Sequence, residues 1–352
     1  MDKAELESII KGYGELPGVS DQDLSNSDFS GADLAGGVFH QVKFCNSNLT
    51  GAYLKECYFV DCDFTDACLD ACDASMASFV NPVASGIRMR KAVMRLSNFI
   101  EGRFPGADFT ESVMTNTSFI SPDFQNATLR NIQTENSNFL NGKFQGADLS
   151  GSTHYRPNFI EPELERIILS GAVLNTAFFL KPDFEGYDFS DLQLIMCQFQ
   201  QARLAGARFT GLDITQCGFM EADLTGADFT NTIADHCLFI KARMAGSFFS
   251  NAQVKQALFV DADLSGCDFS GAKMEQAQLT RARCGDATFV GADLTYVDFS
   301  HADLTRADLS YTQLYRANLH EIVEDQSIWT DSTRSAALET DEKRAKAEQF
   351  VP

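Results

Sequence analysis

The feature that most constrains this 352-residue chain is an apolar position that recurs every five residues. Steps of five from Leu24 to Leu319 meet Phe or Leu at most positions, and 27 of the 30 Phe fall in this single register. An α-helix repeats every 3.6 residues and a strand every two, so neither produces this period. The chain is therefore a repeat protein, and its repeats have to be defined before any domains are counted.

A second period, of twenty residues, predicts the shape of the molecule. Positions spaced by twenty from Phe39 to Leu319 hold Phe at 13 of 15 places, whereas the positions from Leu34 to Leu314 hold none. Sides of different composition that recur every four units predict a coil of twenty residues, with one five-residue unit on each side. About 15 such coils at a strand spacing of about 4.8 Å predict a rod roughly 70 Å long, with the central side chains inside.

The residues around each central position resemble a known family. The residue two places before is usually small, and Gly, Asn or Asp commonly closes the unit, where a turn needs unusual backbone angles. Units such as Ala147-Asp148-Leu149-Ser150-Gly151 and Ala222-Asp223-Leu224-Thr225-Gly226 closely resemble pentapeptide repeats. The resemblance covers roughly residues 22–321 and implies an all-β, right-handed quadrilateral β-helix.

Both ends of the chain are predicted to cap this β-helix, because the coils at its ends would otherwise expose unpaired strand edges. We expect an N-terminal cap helix within residues 1–21, the repeat β-helix at 22–321, and a C-terminal helical cap or tail at 322–352. Residues 2–11 form an amphipathic pattern before a Gly/Pro break, and residues 331–349 are rich in helix formers. Trp329 lies where the last coil needs covering. A dimerisation or partner-binding helix is the alternative for the C-terminal segment.

Composition argues against several classes of function. The net charge of −21 opposes direct binding of nucleic acid, because phosphate backbones attract Lys and Arg. We find no apolar stretch that could span a bilayer and no signal-like N-terminus, which predicts a cytoplasmic protein that does not interact with membranes.

No pattern of catalytic or metal-binding residues accompanies the repeat. His154 occupies a central position and is expected to be a neutral core residue. Most of the ten Cys replace Ala at the small inward position, and Cys197, Cys217 and Cys237 are expected to stack there as apolar filler. We therefore predict no enzyme activity, no metal and no cofactor.

The candidate binding site is a stripe of outward apolar residues, each of which directly follows a position of the Phe-rich ladder. The alternatives are that these residues only favour strand structure or that a terminal segment covers them. Because soluble monomers seldom expose long apolar strips, we expect a partner protein or a second copy of the chain to cover this one. The stripe comprises Val60, Val80, Ile100, Ile120, Leu140, Ile160, Leu180, Met220, Ile240 and Val260.

A basic segment within the acidic chain is a secondary docking candidate for an acidic partner. It contains Arg88, Arg90, Lys91 and Arg95. The simpler interpretation is a solvated charged face.

These features predict a non-enzymatic protein that covers the working surface of a partner enzyme, either a nuclease-type toxin or a topoisomerase. Some pentapeptide-repeat proteins of the quinolone-resistance type act as DNA mimics on topoisomerases, but this chain has no loop inserted between coils and no single acidic side. The alternative, by resemblance to long acidic members of the family, is a scaffold or adaptor associated with a bacterial secretion system.

Overall fold

The twenty-residue turn is present throughout the structure. The computed structural model describes residues 1–12 and 18–349, which form two compact units, Met1–Pro182 and Asp183–Pro352. In each unit, parallel backbone partners lie twenty residues apart, as with Phe119 and Phe139 in the first and Asp223 and Arg243 in the second. The predicted all-β solenoid with short terminal helices is confirmed. The Gly/Pro break predicted after the first helix falls largely on residues 13–17, outside the described residues.

Sixteen three-residue strands occur in the described residues, and the fourteen in the first unit lie in two columns of the solenoid wall. One column comprises β1 (Gly18–Ser20), β2 (Val38–His40), β3 (Tyr58–Val60), β4 (Ser78–Val80), β6 (Asn98–Ile100), β8 (Ser118–Ile120), β10 (Asn138–Leu140), β12 (Asn158–Ile160) and β14 (Phe178–Leu180). The other comprises β5 (Val93–Arg95), β7 (Val113–Thr115), β9 (Gln133–Glu135), β11 (Thr153–Tyr155) and β13 (Val173–Asn175). The second unit contributes β15 (Gln193–Ile195) and β16 (Gln198–Gln200).

The remaining sides of each turn are joined by single parallel bridges with the same offset. In the second unit, four series of bridges run through Gln198, Arg203, Arg208 and Asp213, five residues apart. Because the strands are so short, the backbone turns a corner after almost every unit. Residues at these corners adopt positive φ angles, which Gly and Asn tolerate best.

Stacked side chains fill the interior. Phe119, Phe139 and Phe159 are buried vertical neighbours, and their ring centroids lie 5.2 and 4.8 Å apart. Rings of the adjacent side meet this column edge-on, as Phe144 meets Phe139 at 5.8 Å. The small residues two places before the central positions are buried between them, so the interior has no room for larger side chains at those positions.

Helix α1 (Lys3–Ile10) packs onto the first turn. Its Leu6 and Ile10 are buried, Lys3 Nζ donates to Ser30 O at 2.6 Å, and Glu7 Oε1 accepts from the backbone N–H of Asp33 at 2.9 Å. The side chain of Asp2 caps the helix by accepting from the backbone N–H of Glu5. The helix thus gives the first turn a partner in place of an open edge.

At the C-terminus, the solenoid continues beyond residue 321, where the repeat had been predicted to end. Val323, Ile328 and Leu338 still bridge to residues twenty earlier. Helical structure within 331–349 is limited to a 3₁₀ turn at Arg334–Ala336 and to α2 (Glu342–Glu348). The helix-forming composition of 331–341 is overridden because the exposed backbone of the preceding turn offers hydrogen-bond partners to an extended segment.

The last turn keeps the five-residue register but replaces apolar central residues with a charged group. Glu324, Trp329, Arg334 and Glu339 occupy the next central positions after Leu319. The guanidinium of Arg334 forms an ion pair with Glu324, lies 3.5 Å from Glu339 and sits 4.4 Å above the Trp329 ring. Trp329 is half-buried in this last turn.

We predict that the stacked Phe column dominates stability. Phe139→Ala should lower the free energy of unfolding by about 3–5 kcal/mol, because it leaves a cavity between Phe119 and Phe159. Guanidinium denaturation followed by circular dichroism would measure the loss. Asn98, an exposed residue of β6, provides the control, since Asn98→Ala should change stability by less than about 0.5 kcal/mol. Equal effects of the two substitutions would contradict this account of the core.

Candidate interaction surface

In the first unit, the predicted stripe is a continuous column of outward aliphatic side chains. Each member lies in a strand directly beside the member twenty residues away, as Ile100 lies beside Ile120 and Ile120 beside Leu140. Their neighbours in the column shield them in part, and Ile120 remains 39% exposed. The column comprises Val60, Val80, Ile100, Ile120, Leu140, Ile160 and Leu180.

A polar column runs beside the stripe on the same strands. In the middle turns it consists of Ser78, Asn98, Ser118, Asn138 and Asn158, and Asn158 Nδ2 donates to Asn138 Oδ1 at 2.7 Å. Asn98 is exposed and Ile100 half-buried, so the polar column is at least as accessible to solvent here as the stripe. The stripe is thus bordered on these strands by a row of polar side chains.

The second unit carries the shorter part of the stripe. Met220 is 36% exposed, and Ile240 and Val260 are half-buried on successive turns. Two half-buried leucines, Leu238 and Leu258, lie two residues before them and form a bridge with each other. The apolar patch is broader here than the sequence analysis anticipated.

Two exposed corner residues beside the stripe were missed by the sequence analysis. Met76 and Leu96 are 47% and 56% exposed, and both have positive φ angles of 60° and 58°. This left-handed conformation is unfavourable for bulky residues, and the next two turns place Asn116 and Asn136 at the same corner. The signal was available in the sequence, because the closing position of a unit rarely holds a large apolar residue.

The predicted basic docking segment is largely neutralised by ion pairs. Arg88 and Arg90 both bind Asp70, with Nη2 to Oδ2 distances of 2.7 and 2.5 Å, and Lys91 lies 3.5 Å from Glu111. Partial burial alone would raise the pKa of Asp70, but the hydrogen bonds from Arg90 and Arg88 outweigh it and lower the pKa to about 2. Arg95 lies apart from this cluster, at the exposed end of β5.

Opposite charges alternate along one side of the second unit. Asp223, Arg243, Asp263 and Arg283 bridge in sequence, and ion pairs join Arg243 to Asp223 at 3.2 Å and Arg283 to Asp263 at 2.6 Å. Neighbouring charges of opposite sign cancel each other's field beyond a short distance. This side of the unit consequently presents no acidic ribbon despite the net negative charge of the chain.

His154 is a satisfied core residue, as predicted. It is fully buried, its Nδ1 lies 2.9 Å from Thr134 Oγ1, and its Nε2 lies 2.8 Å from Ser152 Oγ. Ser152 donates its own proton to Leu149 O at 2.6 Å, so it accepts from Nε2–H, and Thr134 donates to Nδ1. Burial lowers the pKa of His154 to about 4, which keeps the ring neutral near pH 7.

We predict that His154 makes folding sensitive to mild acid. Its folded pKa lies below the ordinary value of 6.5, so its contribution is complete above that pH and declines as the pH falls toward 4. The loss should amount to roughly 3 kcal/mol. His154→Leu lowers the baseline stability because Thr134 and Ser152 lose a partner, but it should remove this slope. Denaturation curves of both proteins between pH 4 and 7 would test the prediction, and parallel pH dependences would refute it.

The ten cysteines are all present as thiols, eight of them buried. Burial raises the pKa of Cys57 to about 12 and that of Cys267 to about 11. A hydrogen bond with Cys197, reinforced by burial, raises the pKa of the Cys217 thiol. These groups fill the small inward positions as protonated side chains, and Cys57 Sγ donates to Leu34 O at 2.9 Å.

Thiol reactivity should follow this burial. In the native protein at pH 8, Ellman's reagent should modify only the partly exposed Cys45 and Cys68, and the other eight thiols should react only after denaturation. Cys45→Ser and Cys68→Ser would each remove one fast-reacting thiol. Rapid reaction of more than two native thiols would show that the turns open more readily than the packing implies.

Two histidines and a glutamate meet where α2 contacts the solenoid. His301 Nε2 and His320 Nε2 each lie 3.2 Å from Glu348 Oε2. The backbone N–H of Asp341 donates to His320 Nδ1 at 3.1 Å, so the neutral ring carries its proton on Nε2 and donates it to Glu348. A metal would require the opposite tautomer, since a metal-bound histidine normally donates from its other nitrogen. His320 therefore holds α2 at both ends, through the N-cap residue Asp341 and through Glu348.

Two depressions in the described surface are open to solvent. One of about 520 Å³ lies over Ile195, Met196 and Leu212, and another of about 610 Å³ lies over Gln133, Glu135 and Tyr155. Their linings contain no histidine, lysine or cysteine. None of the described helices is long and apolar enough to cross a membrane.

Comparison with protein families identifies the repeat directly. The model described as "Pentapeptide repeats (8 copies)" matches residues 20–51, 38–73, 92–131 and 282–320. A second model, "Pentapeptide repeat region", matches residues 212–281. A search of curated proteins finds no match.

Solved structures similar to this chain include other proteins of the same kind. A pentapeptide-repeat protein of the Arabidopsis thaliana thylakoid lumen is 30% identical, with 28% of this chain and 68% of that chain covered and a TM-score of 0.28. Trypsin-treated QnrB1, a plasmid-mediated fluoroquinolone resistance protein, is 19% identical over 68% and 97% of the two chains, with a TM-score of 0.25. HetL of Nostoc sp. strain PCC 7120, involved in heterocyst differentiation regulation, is 18% identical over 92% and 90%, with a TM-score of 0.13.

The family matches cover residues 20–73, 92–131 and 212–320, and thus more than half of the sequence. They coincide with the twenty-residue turns, the stacked central side chains and the positive-φ corners of the structure. The chain belongs to the pentapeptide-repeat protein family.

Proposed function

We propose that this protein is a non-enzymatic binding protein whose aliphatic stripe lies against a partner protein. In the preferred form of the proposal, it covers the working surface of a partner enzyme, such as a nuclease-type toxin or a topoisomerase, and so inhibits or protects it. The observation that carries the proposal is the column of seven aliphatic side chains in register on one side of the first unit.

The stripe is costly to leave in water. Apolar area contributes about 25 cal/mol for each Å² removed from water, and the strand register places the seven side chains in contact with one another. Soluble monomers rarely expose an apolar surface that continues over so many elements. Ile120, the most exposed member in the first unit, lies at the middle of the column, where the residues that dominate an interface are usually found.

Local charge pairing favours this apolar surface over acidic mimicry. On one side of the second unit, acidic residues of successive turns are bound to arginines, as Arg283 is to Asp263. In the first unit, Asp70 binds Arg88 and Arg90, and Asp148 accepts from Arg130 Nε. Binding through the stripe should therefore depend little on salt, whereas mimicry of a polyanion would weaken steeply as salt rises.

The proposal predicts that Ile120→Lys/Leu140→Lys abolishes partner binding without unfolding the protein. The full-length chain would be used to capture proteins from native lysate at 50 and 500 mM salt, with quantitative mass spectrometry of bound proteins. The preferred partner should be retained at both salt concentrations and depleted at least tenfold by the double variant, because lysine at the column centre places uncompensated charge in the interface.

A matched control uses the next side of the same two turns. Gln125→Lys/Gln145→Lys adds the same two charges on the same turns but away from the stripe, and should leave capture unchanged. Equal capture by wild type and both variants would contradict binding through the stripe. If capture does depend on the stripe, inhibition or protection of the captured enzyme would support the covering role. Simultaneous retention of two partners would instead indicate a scaffold of the kind found with secretion systems.

A further inference from the structure

We infer that the partner element recognised by the first unit is an amphipathic α-helix, seated between the corner residues Met76 and Leu96 and the stripe residues Val80, Ile100 and Ile120. The inference rests on the proposed function, since it names what part of a partner the stripe binds. It is carried by four features of the described residues: corner strain, spacing, the seat of the protein's own helix α2, and flanking charge.

The first feature is the conformation of the corner residues. Met76 and Leu96 adopt positive φ angles while 47% and 56% of their surface stays exposed, so burial in the free protein does not offset the strain. Asn116 and Asn136 show which residue suits this corner. Large apolar side chains at a strained, solvent-exposed corner do not stabilise the fold, and such departures from local preference are expected at binding sites.

The second feature is the spacing of the two apolar rows. Ile100 follows Leu96 by four positions, and Ser78, Asn98 and Ser118 form a polar floor between the rows. Four steps along a chain reach at most about 13 Å, so the rows lie close enough for one α-helix, 10–12 Å in diameter, to contact both. Along the rows, turns recur about every 4.8 Å, close to the 5.4 Å pitch of a helix, so a helix of about three turns can contact successive turns.

The third feature is the protein's own use of the equivalent column. In the second unit, Ser300 and His320 occupy the same place in the twenty-residue register as Ile100 and Ile120, and both are buried. His320 binds Glu348 of α2, and the backbone N–H of Asp341 binds His320. Ala345, on the same helix, is buried as well. An outward column on this side of the solenoid therefore accepts a helix within this chain.

The fourth feature is the charge on either side of the seat. Arg95 directly precedes Leu96, Glu101 directly follows Ile100, and both residues are exposed. They flank the seat with opposite charges. The matching helix has an apolar face with acidic residues on one flank and basic residues on the other.

The inference can be tested with a synthetic helical peptide as the probe. An 18-residue fluorescent peptide would carry Leu at helical spacing on one face, Glu on one flank and Lys on the other. Its binding to the full-length protein would be followed by fluorescence anisotropy. We expect saturable binding, and a peptide of the same composition with two central prolines should not bind, because it cannot form the helix.

The decisive variant is Met76→Asn/Leu96→Asn. Asn tolerates positive φ, so the double variant should unfold at the same or a higher temperature than the wild type, yet its affinity for the helical peptide should fall at least tenfold. Met196→Asn makes the same change at an exposed corner of the second unit and should leave affinity within twofold. Arg95→Glu should weaken binding severalfold. Absence of saturable binding, equal binding of the proline peptide, or unchanged affinity of the double variant would each overturn the inference.

Failure of this inference can be separated from failure of the proposed function. If the captured lysate partner is lost with Ile120→Lys/Leu140→Lys but retained with Met76→Asn/Leu96→Asn, the stripe binds a partner and the helix seat is wrong. If capture is insensitive to both double variants, the proposed function itself is wrong. Loss with both, together with peptide binding to the wild type, supports the helix seat.

Discussion

The structure depends on the constraint that every twentieth residue lies directly above its counterpart. Backbone hydrogen bonds between successive turns set this register, and it stacks rings such as Phe119 and Phe139 at 5.2 Å. A shift of one residue would move each central side chain from the interior to solvent. The uniform interior leaves only the outer walls, corners and ends free to vary, and those are the places where this chain departs from its own repeat.

The sequence determines the interior almost completely, because one strict period governs both side-chain size and direction. The stripe could be predicted for the same reason, since residues directly after a buried central position must point outward. Solvent exposure of Met76 and Leu96 could not be read from an apolar count, because large apolar residues normally indicate burial. Only their position at a corner, which requires a positive φ angle, reveals that they stay outside.

Two other features escaped prediction because they depend on partners distant in sequence. The basic segment looked like a patch of free positive charge, yet Asp70, some twenty residues earlier, binds both Arg88 and Arg90. The segment after residue 321 looked helical, yet it follows the edge of the preceding turn, as Ile328 follows Asp308. In a solenoid, residues one turn away are nearest neighbours. A prediction from local sequence alone therefore gives the wrong free charge and the wrong secondary structure at these sites.

The charged group at the end of the last turn has a consequence for how copies of this protein behave at high concentration. An open β-solenoid is a natural template for polymerisation, because its terminal turn can pair with the first turn of another molecule and continue into a fibril. Here the last turn presents Glu324, Trp329 and Arg334 where an incoming turn would need aliphatic groups. Helix α1 covers the first turn. Each end turn therefore carries groups that oppose pairing with a turn of another copy of the chain.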